Sequence, residues 1–60
     1  MSQTLVNYYE QQFRLHIMLA VMNQEKLCLK DLLKQFVLNN EKDYLQINYA
    51  YLNVKRELIG

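Results

Sequence analysis

The sequence predicts an all-α fold: one compact domain of three helices over residues 1–60. Apolar residues recur at helical spacing in three segments, near residues 3–22, 28–38 and 41–58, and short polar stretches separate them. The chain has no proline and a single glycine, so it lacks the turn dipeptides on which β-hairpins depend. Hydrophobic residues make up 52% of the chain, which argues against intrinsic disorder.

The first helix is predicted over residues 3–22 by apolar side chains at every fourth position, namely Leu5, Tyr9, Phe13, Ile17 and Val21. From Leu15 to Met22 every residue except His16 is apolar. A helix that is apolar on one side and then nearly all round is typical of one that its neighbours progressively enclose. We therefore expect the C-terminal half of this helix to be covered.

The second helix is predicted over residues 28–38 by an amphipathic pattern at positions i, i+3, i+4 and i+7, given by Leu29, Leu32, Leu33 and Phe36. Cys28 stands where a small residue favours a helix start, and Asp31 follows three positions later, where a carboxylate favours a helix N-terminus. Asn39 and Asn40 are the predicted stop, because asparagine tolerates the left-handed conformation that ends many helices.

The third helix, near residues 41–58, carries two apolar stripes. The first alternates spacings of three and four, as a packed helix seam does, and comprises Tyr44, Ile47, Tyr51, Val54 and Leu58. The second comprises Leu45, Tyr49, Leu52 and Ile59. We expect the first stripe to form a homodimer interface; the alternative is a third helix covered on both flanks within one chain. The predicted core accordingly contains Phe13, Ile17, Val21, Leu29, Leu32, Leu33, Phe36, Leu45 and Leu52.

The small size of the chain favours self-association. A 60-residue domain buries only about 60% of the surface that its unfolded chain exposes, and such domains usually need a disulfide, a metal or a partner. Cys28 is the single cysteine and His16 the single histidine, so neither an internal disulfide nor a four-ligand zinc site can form. We expect no metal and no cofactor.

The sequence does not predict an enzyme. It lacks a glycine-rich phosphate loop, a nucleophile elbow and a paired-histidine motif. His16 is interpreted as a half-buried packing residue and Cys28 as a helix-start residue. The longest apolar run has six residues, whereas a membrane span needs roughly 18. With no signal-peptide pattern and an unpaired cysteine, a cytoplasmic location without membrane contact is expected.

The segment from Arg14 to Asn39 resembles the first two helices of winged-helix transcriptional repressors: an arginine, an apolar helix, a polar break, a capped leucine-rich helix and a polar turn. Cys28 stands where that family usually has a capping Ser or Thr. Residues 51–59 are similar to the end of the recognition helix. Val37 and Glu57 stand where the family usually has glycine, and the pattern lacks the β-wing. The resemblance covers residues 14–59 and implies a helix-turn-helix fold that binds DNA.

On that resemblance, a polar stripe of the third helix is the expected DNA-binding surface: Lys42, Gln46, Tyr49, Asn53 and Arg56. Glutamine and asparagine can pair with adenine, arginine and lysine with guanine or phosphate. The alternative for this stripe is a solvated helix surface. The expected function is a small DNA-binding regulator acting as a homodimer. The alternative, which the net charge of +1 favours, is a helical protein-interaction module such as an adaptor, inhibitor or antitoxin-like partner.

Overall fold

The computed structural model describes residues 3–59, except for the side chain of Ile59, and this part of the chain is all-α, as the sequence predicts. Its elements are α1 over Gln3–Met22, α2 over Leu29–Asn39, a short 3₁₀ helix over Glu41–Asp43 and α3 over Tyr44–Ile59. The bounds of α1 equal those predicted, and those of α2 lie one residue later. Residues 41–43 form the 3₁₀ helix instead of the first turn of α3.

The end of α1 is fixed by backbone hydrogen bonds to its last carbonyls. The amide of Glu25 donates to the carbonyl of Ala20 at 2.8 Å, and the amide of Gln24 donates to that of Val21 at 3.1 Å. This pair of bonds is the Schellman motif, which requires a residue in the left-handed region. Gln24 fills that position with φ of 57°, where the presence of a Cβ costs free energy that glycine would avoid.

The end of α2 uses an asparagine differently from the prediction. Asn40 has φ of −143°, so it is not left-handed. Its side-chain amide instead donates to the carbonyl of Phe36 at 3.1 Å, which satisfies a group that the helix end leaves unpaired. At the other end of α2, Cys28 is the N-cap residue in an extended conformation, and its side chain makes no capping bond.

The core lies mainly between α1 and α3. Its buried members are Val6, Tyr9, Phe13, Leu32, Ile47, Ala50, Tyr51 and Val54. Ala50 lies between two fully buried side chains, those of Ile47 and Val54. Because its side chain is a single methyl group, the backbones of α1 and α3 can approach closely at this point.

The second helix is joined to this core by the aromatic ring of Phe36. That ring lies 4.8 Å from the ring of Phe13, 6.2 Å from that of Tyr9 and 5.6 Å from that of His16, between centroids. Tilted and edge-on aromatic pairs at these distances are favourable. The predicted burial of Phe13 and Leu32 is confirmed, and Ile17, Leu29, Leu33 and Phe36 pack against the core while partly buried.

Three residues of the predicted core are exposed instead: Val21 on α1, and Leu45 and Leu52 on α3. The inward side of α3 is the stripe that contains Ile47 and Val54, so the neighbouring stripe turns outward. The C-terminal half of α1 is also uncovered, contrary to expectation, because the large side chains between Leu15 and Met22 other than Ile17 are exposed. Among the described residues, no helix combines the length and apolar character that crossing a membrane requires.

Candidate functional site

The predicted DNA-binding stripe does not form one free polar surface. Lys42, Tyr49 and Arg56 are exposed, whereas Gln46 and Asn53 are partly buried. Lys42 lies on the 3₁₀ helix and the other four lie on α3. The two side chains expected to contact base edges are therefore the less accessible members of the set.

Asn53 is engaged within the chain by an acidic residue of α1. Its side-chain amide donates to Oε2 of Glu10 at 2.9 Å. Arg14 donates from Nη2 to Oε1 of Glu10 at 3.2 Å and from Nε to Oε2 of Glu57 at 3.1 Å. Two carboxylates and one guanidinium thus lie beside the polar stripe, and an approaching phosphate would meet the repulsion of the carboxylates.

This hydrogen-bonded network also shows the relative direction of α1 and α3. Glu10 pairs with Asn53, and Arg14, four residues later, pairs with Glu57, again four residues later. Because both partners advance by one helical turn, α1 and α3 run the same way along this contact. The bond from Arg14 lowers the pKa of Glu57 and raises that of Arg14, so both groups stay charged at neutral pH.

The predicted homodimer stripe is the intramolecular core and not a free surface. Ile47, Tyr51 and Val54 are buried against α1 and α2. Tyr44 and Leu58, at the two ends of the stripe, are exposed. The physical reason is that α3 packs mainly against α1 through the side that carries Ile47, Ala50 and Val54. Asn53 and Glu57, beside that side, bond to Glu10 and Arg14 of α1. The centre of this stripe is therefore covered within the single chain.

One polar contact lies at the edge of the core. The hydroxyl of Tyr9 donates to Oδ2 of Asp43 at 2.7 Å and so joins α1 to the 3₁₀ helix. Burial, then the bond to Asp43 and the charge of that carboxylate, raise the pKa of Tyr9 from 10.0 to about 12. Burial and this hydrogen bond therefore both favour the neutral phenol of Tyr9.

An apolar groove lies between α2 and the start of α3. It encloses about 400 Å³ and is lined by Leu33, Lys34, Val37, Leu38, Tyr44 and Asn48. Leu38 and Tyr44 are exposed at this groove. Lys34 is the one charged residue among the six lining residues, and Asn48 is held by a bond from its side-chain amide to the carbonyl of Tyr44 at 2.8 Å.

Residues 3–59 contain no cluster of three or more His, Cys, Asp or Glu side chains suited to a metal ion. Cys28 is exposed. His16 is also exposed, although its ring contacts Phe36, so its predicted half-burial is wrong while its packing role is retained.

Two features of the surface were not predicted from the sequence. The first is the groove, whose lining residues come from two helices, so no local pattern indicated it. The second is the uncharged outer side of α1, where uncharged residues follow one another at alternate spacings of three and four positions from Tyr8 to Met22. That spacing was detectable, but the stronger apolar run in the same helix suggested burial.

The chain was compared with protein-family models, with curated proteins and with solved structures, and no match was found. The resemblance to winged-helix repressors therefore rests on the sequence segments quoted above.

Proposed function

We propose that this chain is a small helical protein-interaction module, and that the groove between α2 and α3 receives an apolar side chain of a partner helix. The observation that carries the proposal is the groove itself, which is open and mostly apolar. Its volume of about 400 Å³ is that of a site for a small ligand or an anchoring side chain. An amphipathic helix that places one apolar side in such a groove is a common mode of recognition.

The charge at the groove favours an acidic partner. Lys34 is one of the lining residues, and the other five are uncharged. Lys30 lies one turn before Lys34 on the same helix and is exposed. A partner helix with carboxylates beside its apolar anchor would gain attraction from both ammonium groups, mostly in its association rate and specificity.

Titration with designed peptides tests this proposal. One peptide carries leucines at i, i+3 and i+7 flanked by glutamates, and a second has lysines in place of the glutamates. We expect the glutamate peptide to bind more tightly in fluorescence anisotropy. Lys34→Glu should reverse this order, whereas Lys55→Glu, on α3, should leave it unchanged. Equal binding of the two peptides, or no effect of Lys34→Glu, would contradict the proposal.

DNA binding by α3, as a homodimeric regulator, stays a prediction from the sequence. Exposed Lys42 and Arg56 favour it, while the bond between Asn53 and Glu10 and the net charge of +1 count against it. Titration against pooled random duplexes at low salt is the measurement. If DNA is retained and Arg56→Ala weakens binding to all sequences alike, the DNA function is supported over the groove proposal.

A further inference from the structure

The outer side of α1 is an apolar surface that the rest of the chain leaves open. We define the α1 outer surface by Tyr8, Gln11, Leu15, Met18 and Met22, whose spacings are three, four, three and four. All five side chains are exposed, Met22 to 70%. The core-facing residues of the same helix, including Val6 and Phe13, lie on its opposite side. This surface is separate from the groove between α2 and α3.

We propose that the α1 outer surface binds the same surface of a second copy of this chain. The spacing is the one that keeps a seam of side chains against a partner helix over successive turns. Leu15 lies at the centre of the seam, with seven residues to Tyr8 on one side and seven to Met22 on the other. Leu15 therefore contacts Leu15 of the second copy whether the paired helices run parallel or antiparallel.

The absence of charged side chains among its five members favours a second copy as the occupant of the α1 outer surface. In the 20 residues of α1 the Asp, Glu, Lys and Arg residues are Glu10 and Arg14 alone. Arg14 bonds to Glu10 and to Glu57 of α3, and Glu10 bonds to Asn53 of α3, so both charged side chains have partners within the chain. Two copies of this surface therefore meet without repulsion between like charges. A partner with charged residues would find nothing to pair with them and would pay their desolvation.

The size of the α1 outer surface limits the expected affinity between two copies of the chain. The seam extends over roughly 21 Å of helix, from 14 steps of about 1.5 Å. A standard interface buries about 800 Å² per partner, which is about 17% of the 4695 Å² of accessible surface here. The surface has five exposed side chains, with Leu19 beside them, which is fewer than the roughly 20–30 residues that each side of a standard interface contributes. We therefore expect a weak dimer, with a dissociation constant in the micromolar range.

Sedimentation equilibrium over about 1 μM to 1 mM protein tests the proposal. The unmodified chain should pass from monomer to dimer within this range. Leu15→Glu and Leu15→Lys should each raise the dissociation constant at least tenfold, because each places like charges at the centre of the seam. The matched control is Leu45→Glu, which adds the same charge to an exposed leucine of α3 and should leave dimerisation within twofold.

An equimolar mixture of the two Leu15 variants gives the decisive result. If the second copy meets Leu15 with its own Leu15, glutamate will face lysine and the mixture will dimerise, although neither variant does so alone. Circular dichroism checks that each variant is helical; if either Leu15 variant unfolds, the pair Met22→Glu and Met22→Lys replaces it, each again expected to block dimerisation alone. A chain that stays monomeric at 1 mM, or a control that dissociates as readily as Leu15→Glu, would overturn the proposal.

Discussion

One apolar stripe of α3 is buried and the other is exposed, and this difference has a measurable consequence for the free energy of unfolding. Ile47 is fully buried, whereas Leu45, two residues before it on the same helix, is 57% exposed. Replacing either residue by alanine removes three carbon atoms, so the two changes are matched in size. We expect Ile47→Ala to destabilise the chain much more than Leu45→Ala.

The magnitudes follow from the burial of each side chain. At about 0.8 kcal/mol per buried methylene, three carbons of Ile47 contribute about 2.4 kcal/mol. The cavity left behind brings the cost into the range of about 2–5 kcal/mol seen for such truncations. For Leu45, whose side chain is less than half buried, the same count gives about 1 kcal/mol. The free energy of unfolding of a 60-residue chain is about 3–9 kcal/mol in total, so Ile47→Ala removes a large share of it.

Urea denaturation followed by circular dichroism measures both variants. Each is compared with the unmodified chain at several equal protein concentrations, because association adds to apparent stability. If Ile47→Ala is too unstable to fold, Ile47→Val removes one carbon and should still cost about 0.5–1.5 kcal/mol. Equal losses in the two alanine variants, or a larger loss for Leu45→Ala, would refute the assignment of the inward stripe.

Two further predictions concern single residues. The raised pKa of Tyr9 means that folding favours its neutral phenol, so this stabilisation is complete below pH 10 and is lost as the pH rises through about 12. The free energy of unfolding should therefore fall more steeply across this range in the unmodified chain than in Tyr9→Phe, and parallel pH curves would contradict the assignment. Gln24→Gly should raise the free energy of unfolding by up to about 1 kcal/mol, because glycine adopts the left-handed conformation without cost. Gln24→Ala, which keeps a Cβ, is its control in the same thermal melts and should give no such gain.

The helices themselves were predictable from the sequence because each depends on residues close together in the chain. The period of apolar residues gave the bounds of α1, and the polar break after Met22 gave its end. The two asparagines at 39 and 40 marked the end of α2, although the capping bond of Asn40 differs from the expected left-handed turn. The candidate site was predicted less well, because accessibility on α3 depends on what α1 covers.

The sequence by itself determined that the chain is all-α, where its helices lie and that α3 has two apolar stripes. Only the tertiary structure decided which stripe turns inward, since both have helical spacing and similar apolar content. The choice depends on contacts between distant residues, such as Glu10 with Asn53 and Tyr9 with Asp43, which are 43 and 34 positions apart. Such contacts leave no periodic signal in the chain, because close packing at Ala50 and pairing of polar groups are properties of two assembled helices.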